Sequence, residues 1–213
     1  MSTSGSIADV RVTLPEHWWP ISLADEHVMR AGVRDLVQHE FDGVADNPLV
    51  QSDLRRALLE QAEAGRSVGA RLLALCRQWH NGTPIPASLV LTWIDLPAGR
   101  GSSPGEQLLE LQGRLHPDPD APMPAGQTLD LAALPPGTVL RHVRLDETPI
   151  PPSDGREQRI PALVADYWLE RPDQAGLIQL AFSSPIVPIR DAWLELWDAI
   201  VGTLRWVPEP TGA

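Results

Sequence analysis

The hydrophobic and polar positions of this chain repeat with two different periods, and the clearest pattern lies near the C-terminal end. Over residues 162–170 apolar side chains recur at every second position, and residues 177–182 read as a second strand after a turn containing Pro172 and Gly176. A helix is predicted after Pro185, because large apolar side chains then recur at spacings of three and four. These side chains are Ile189, Trp193, Leu196, Trp197, Ile200 and Leu204. Burial of each contributes about 1.5–3 kcal/mol, so this hairpin and helix are expected to anchor the core.

The N-terminal part of the chain shows mainly the spacing of helices. After a short strand over residues 10–14, Asp25 can cap a first helix. The second helix is predicted to be the longest in the chain. It begins at Ser52 or Asp53, and its apolar face continues as far as Trp79.

The remainder is predicted to consist of strands and connections with one short helix. We expect a central strand over residues 87–96 and a helix over residues 106–115. Two strands that pair with each other follow over residues 129–131 and 138–145, and residues 149–161 are expected to form a surface connection. Helices gathered before a run of strands favour an α+β fold, with a mostly antiparallel sheet covered by helices. Residues 1–213 are predicted to form a single domain with a core over about 9–207 and frayed termini.

Composition excludes several classes of chemistry. All 17 basic residues are arginine, and the absence of lysine rules out a Walker-type phosphate lysine, a Schiff-base lysine and a lysine general base. The net charge of −11 argues against a nucleic-acid partner, because phosphate groups would repel such a surface.

Cysteine content and hydropathy bear on location. The single cysteine, Cys76, excludes an internal disulfide and fits a reducing compartment. No signal sequence is recognisable at the start, and no apolar run approaches the length of a membrane span. We therefore expect a cytoplasmic protein without a membrane span.

Three segments carry a resemblance to a known group of proteins. The stretches LPEHWWPISL, IPASLVLTW and LIQLAFSSPIVPIRDAWLELWDAIVGTLRW resemble uncharacterised actinobacterial proteins, which are in turn similar to the PsbP-like and LpqN-like α/β/α sandwich fold. The resemblance covers most of the chain and implies that sandwich, with binding or accessory roles rather than catalysis. It transfers no functional residue, because it contains no catalytic motif.

One short motif matches a catalytic pattern. Residues 65–69 follow the G-x-S-x-G pattern of a nucleophile elbow, in which a strand must precede the serine, here Ser67. The preceding residues 58–64 have a helical pattern, so small residues within a packed helix explain the match. No catalytic residue is assigned.

Two groupings contain residue types that bind metals. Cys76 and His80 lie four residues apart on the predicted second helix, and Asp118 with Asp120 lies in a proline-rich connection. Neither grouping has the remaining ligands of a site. A buried cysteine and a solvated loop explain them, and we predict no metal and no cofactor.

Tryptophan supplies the candidate binding residues. Most of the eight tryptophans, including Trp79, lie in predicted elements where packing accounts for them. Trp18 and Trp19 differ, because adjacent side chains of an extended segment point to opposite faces. An exposed indole is a suitable binding anchor, so Trp18 and Trp19 are the predicted binding residues.

Together these patterns predict a non-catalytic, cytoplasmic accessory or adaptor protein that binds another protein. Two alternatives remain open. The first is a serine hydrolase that uses Ser67. The second is a small-molecule or lipid carrier with a cavity between the sheet and the helices.

Overall fold

The computed structural model describes residues 7–42, 47–95, 105–150, 158–173 and 176–208. In chain order the elements are β1 (Ile7–Arg11), β2 (Trp18–Ser22), α1 (Glu26–Glu40), α2 (Pro48–Ser67), β3 (Ala70–His80), β4 (Thr83–Asp95), α3 (Glu106–Leu115), β5 (Thr128–Leu134), β6 (Gly137–Ile150), β7 (Gln158–Glu170), β8 (Gly176–Ser184), a 3-10 turn (Val187–Ile189), α4 (Arg190–Gly202) and β9 (Arg205–Pro208).

The chain divides into two compact units. The N-terminal unit comprises Glu16–Trp93, and the C-terminal unit comprises Met1–Pro15 with Ile94–Ala213. Strands pair antiparallel within each unit, and helices pack on them. The predicted α+β class is confirmed. The single-domain assignment stays a prediction, and the termini expected to fray lie largely outside the described residues.

In the N-terminal unit, β2, β3 and β4 pair in that order, and α1 and α2 cover one face. The buried cluster between them consists of Ile21, Leu23, Met29, Val33, Leu36, Val37, Leu58, Ala62, Ala70 and Leu73. At Gly32 an added Cβ would lie 3.3 Å from Cγ2 of Ile21, so α1 approaches β2 closely at this point.

Both helices of this unit begin at side-chain caps. The carboxylate of Asp25 accepts the N–H of Val28 at 3.0 Å, as the sequence predicts for α1. The start predicted for α2 at Ser52 or Asp53 is wrong. Asn47 caps the helix, and Pro48 occupies its first turn, where the missing N–H costs nothing.

The predicted continuation of α2 to Trp79 is also wrong, because the helix ends at Ser67 and β3 begins at Ala70. Gly69 has φ +88°, which terminates the helix, and its N–H donates to the carbonyl of Arg66 at 3.0 Å. The residues that follow form a strand that pairs with β4 along its length.

The C-terminal unit contains the antiparallel order β5, β6, β7, β8 with helices on both faces. Tyr167 and Trp168 are neighbours on β7 and therefore point to opposite faces. Trp168 packs with Leu108 of α3, whereas the hydroxyl of Tyr167 donates to Asp198 of α4 at 2.7 Å. β1 and β9 form a separate two-stranded pair.

The hairpin and helix predicted near the C-terminal end are confirmed, but the helix is shorter than predicted at both ends. Trp193, Trp197 and Ile200 are buried on α4 as expected, whereas Ile189 is exposed in the 3-10 turn before α4 and Leu204 is buried beyond its end at Gly202. Residues 151–157 of the surface connection predicted over residues 149–161 lie outside the described residues, and both ends of the prediction are wrong, because β6 continues to Ile150 and β7 begins at Gln158. Cross-strand pairing overrides the polar, proline-bearing composition there.

Among the described residues, no helix is long and apolar enough to cross a membrane.

Candidate functional site

The predicted binding residues Trp18 and Trp19 lie on β2, opposite Cys76 and Leu75 of β3. Trp18 is only 6% exposed. Trp19 is half-buried and packs toward α1, where its ring stacks on His39 at a centroid distance of 5.2 Å. Neither indole is freely exposed, and a direct contact of either one with a partner stays a prediction.

Trp19 supports a charged side chain. The guanidinium of Arg77 lies 5.4 Å from the centroid of the Trp19 ring, and it forms an ion pair with Glu40 of α1. The backbone N–H of Arg77 donates to the carbonyl of His17 at 2.7 Å, which fixes this part of β3 to the segment before β2. Arg77 is therefore fixed by three contacts, with the Trp19 ring, the Glu40 carboxylate and the His17 carbonyl.

Arg77 is one wall of an apolar groove in the N-terminal unit, with a volume of about 390 Å³. The end of α1, the first half of α2 and the distal part of the β3–β4 hairpin enclose it. Its lining residues are Leu36, Glu40, Phe41, Leu54, Leu58, Leu75, Cys76, Arg77, Gln78, Trp79, Pro84, Pro86 and Ala87. Apart from the Glu40–Arg77 pair and Gln78, these residues are apolar or weakly polar.

Trp79 is a candidate functional residue that the sequence pattern did not single out. Packing was expected to bury its indole on a long helix, whereas it is 61% exposed on β3, paired in register with Pro84. The signal that could have found it is the dipeptide Asn81-Gly82, which typically closes a β-hairpin when strand-like residues flank it. Both residues have positive φ, 49° and 76°, as such a turn requires.

Ser67 is not placed as a nucleophile elbow would place it. It occupies the last turn of α2, so a helix and not a strand precedes it. Its hydroxyl donates to the carbonyl of Ala64 at 2.7 Å. The neighbouring cavity is lined by arginine and glutamate side chains that include the ion pair of Arg30 and Glu63.

The potential metal ligands are not brought together. Cys76 and His80 lie on a strand rather than a helix, which separates two residues four positions apart by about 13 Å. Burial raises the pKa of the Cys76 thiol, which disfavours the thiolate that binds metals. The carboxylate of Asp118 accepts the N–H of Asp120 in a local turn. No group of three or more potential ligands occurs in the described part of the chain.

The C-terminal unit carries two polar networks that fix its elements to one another. Arg141 donates to Asp130 of β5 at 3.1 Å and to Asp198 of α4 at 2.7 Å. On the other face of the sheet, the buried Asp166 accepts from Arg144 and from Gln179. Each charged group in these networks has an opposite charge or a donor, so both networks are structural.

No protein-family model matches the chain, and no curated protein matches it at a significant level. The resemblance to the PsbP-like and LpqN-like fold therefore stays a prediction.

Proposed function

We propose that this protein is a non-catalytic accessory or adaptor protein and that its groove binds an apolar segment of a partner protein. The observation that carries the proposal is the exposed indole of Trp79 beside the apolar groove. Tryptophan is enriched at binding hot spots because its large apolar ring gains much from being covered. The cytoplasmic location expected from the sequence belongs to the same proposal.

The shape of the groove favours a protein segment. Trp79, Pro84 and Pro86 are exposed at its margin, so the groove is open on the side of the β3–β4 hairpin. An open groove accepts the apolar side chains of a segment whose backbone stays outside it. Covering the indole of Trp79 removes on the order of 150 Å² of surface from water, which is worth at most about 4 kcal/mol.

The charges in the groove indicate what kind of side chain enters it. Glu40 and Arg77 are both partly buried, and each already has the other as its partner. A charged group brought in by the partner protein would lose water without finding a free opposite charge. The segment is therefore apolar where it enters the groove.

The groove volume also supports a second candidate, a carrier of an apolar small molecule. At about 390 Å³, the groove falls in the range of small-molecule pockets. Native mass spectrometry of freshly purified protein distinguishes the two candidates. A stoichiometric ligand that is lost on Trp79→Ala would support the carrier.

The partner proposal is tested by quantitative affinity capture with the wild type, Trp79→Ala and the control Leu109→Ala. Leu109 is 56% exposed on α3, so the control removes an exposed apolar side chain that does not line the groove. We expect a protein that the wild type and the control capture and that Trp79→Ala binds at least about tenfold more weakly. Both variants should keep the stability of the wild type within about 0.5 kcal/mol. Equal capture by all three proteins would contradict the proposal.

A further inference from the structure

A second candidate interaction surface is the outer edge of β5. β5 pairs with β6 on one side, and on its other side no strand is found in the described parts of the C-terminal unit. Leu134 and Gly137 close the turn between the two strands, and the intervening Pro135 and Pro136 have no N–H groups. The backbone groups of Leu134 must therefore face β6.

The antiparallel alternation then assigns the direction of every other backbone group in β5. The N–H and C=O groups of Thr128, Asp130 and Ala132 face β6, together with those of Leu134. The corresponding groups of Leu129, Leu131 and Ala133 face outward. No hydrogen bond to these three backbones is seen within the described residues outside the regular strand pairing.

Within the part of the chain that the structure describes, the β5 edge lacks the features with which proteins block strand addition. Its seven residues contain no proline and no basic residue, and its register with β6 runs without a bulge. Leu131 is 42% exposed. The carboxylate of Asp130 is neutralised by Arg141, so it does not repel an approaching strand.

The strand β2 provides an internal comparison. Leu23 donates its N–H to Arg71 of β3, and His17 accepts from Arg77. The backbone N–H and C=O groups of the odd-numbered residues of β2 therefore face β3, and those of the even-numbered residues face outward. Pro20 lies at one of these outward-facing positions, where its missing N–H prevents strand addition. β2 carries a protected edge, and β5 does not.

We propose that β5 pairs antiparallel with β5 of a second copy of this chain, about a two-fold axis at Leu131. Leu131 is the central residue of β5, so this register pairs the whole strand. It places Leu131 against Leu131 of the second copy and Leu129 against Ala133. An axis at Asp130 would instead place two carboxylates opposite each other.

A second copy of the chain matches this edge, because its own β5 has the same length and presents the same outward-facing backbone groups on either side of Leu131. The outward-facing backbone groups of Leu129, Leu131 and Ala133 supply donors and acceptors in the order that a two-fold axis requires. Each copy carries a net charge of −11, so the two copies repel each other. The dimer should be weak, with a dissociation constant on the order of micromolar, and added salt should strengthen it by screening the repulsion.

Sedimentation velocity over a concentration series tests the dimer with Leu131→Lys and the matched control Leu109→Lys. Both substitutions replace an exposed leucine and change the net charge equally. We expect the wild type and Leu109→Lys to dimerise alike, whereas Leu131→Lys raises the dissociation constant at least about tenfold because two ammonium groups meet at the axis. Circular dichroism and urea unfolding confirm that each variant is folded.

A covalent test uses Leu131→Cys in a Cys76→Ala background. The Cα atoms of a hydrogen-bonded antiparallel pair lie about 5.5 Å apart, which suits a disulfide. Oxidation should therefore link two copies through Leu131→Cys but not through Leu109→Cys. Three results would overturn the proposal. The first is a wild type that stays monomeric, whether or not its β5 pairs with a strand of another protein. The second is a Leu131→Lys dimer of unchanged affinity, and the third is equal linking at positions 131 and 109.

Discussion

Among single residues, Trp197 is the largest fully buried side chain that the structure describes. It is fully buried and stacks on Phe182 at 5.3 Å and on Trp193 at 5.6 Å. Trp197→Ala should therefore lower the free energy of unfolding by about 3–5 kcal/mol in urea denaturation. A loss below about 1 kcal/mol would show that this side chain is not part of the core.

Tyr167 provides a pH-dependent test of the same core. Burial and its hydrogen bond to Asp198 raise the pKa of its hydroxyl far above the usual value of 10. Because the pKa of the hydroxyl is higher in the folded state than in the unfolded state, its contribution to folding stability is fully present below about pH 10. That contribution is lost as the pH rises toward the folded pKa. Stability should fall with pH in that window, and Tyr167→Phe should remove this part of the dependence.

The measurement is direct, because Tyr167 is the only tyrosine in the chain. Tyrosinate absorbance should show no ionisation step near pH 10 in the folded protein, and it should appear together with unfolding. A reversible step near pH 10 with native circular dichroism would contradict the buried hydrogen bond.

At the scale of elements, Gly69 decides where α2 ends and β3 begins. It combines φ +88° with a close approach, because an added Cβ would lie 2.8 Å from the carbonyl oxygen of Trp93. Gly69→Ala should therefore cost about 2 kcal/mol or more. Gly113→Ala is the control, since this helical glycine of α3 has open space around it and should gain about 0.5–1 kcal/mol. Equal unfolding midpoints for the two variants would refute this account of the junction.

The same junction shows how far the sequence predicts the elements. α3 was predicted with its bounds, and the start of α1 was marked by Asp25, because both helices have a clear apolar spacing. β3 was missed because its apolar residues also fit helical spacing. Only the positive φ of Gly69 and the hairpin turn at Asn81 distinguish the two cases. These are backbone properties that side-chain periodicity does not contain.

At the scale of the whole molecule, the groove could not be predicted from the sequence. It is built from α1, α2 and the β3–β4 hairpin, and its walls meet only if β3 is a strand. The sequence did identify tryptophan as the residue type of interest. It selected Trp18 and Trp19, whereas the exposed indole belongs to Trp79. Trp19 does not line the groove, but it contacts Arg77, which does.

Site-specific photo-crosslinking in the native host tests the proposal that the groove binds a partner protein through Trp79. A photoreactive phenylalanine replaces Trp79 in one strain and the exposed Leu109 of α3 in another. We predict that position 79 forms an adduct with one defined protein and that the crosslinked site lies in an apolar segment of it. No adduct at position 79, or the same adducts at both positions, would contradict the account.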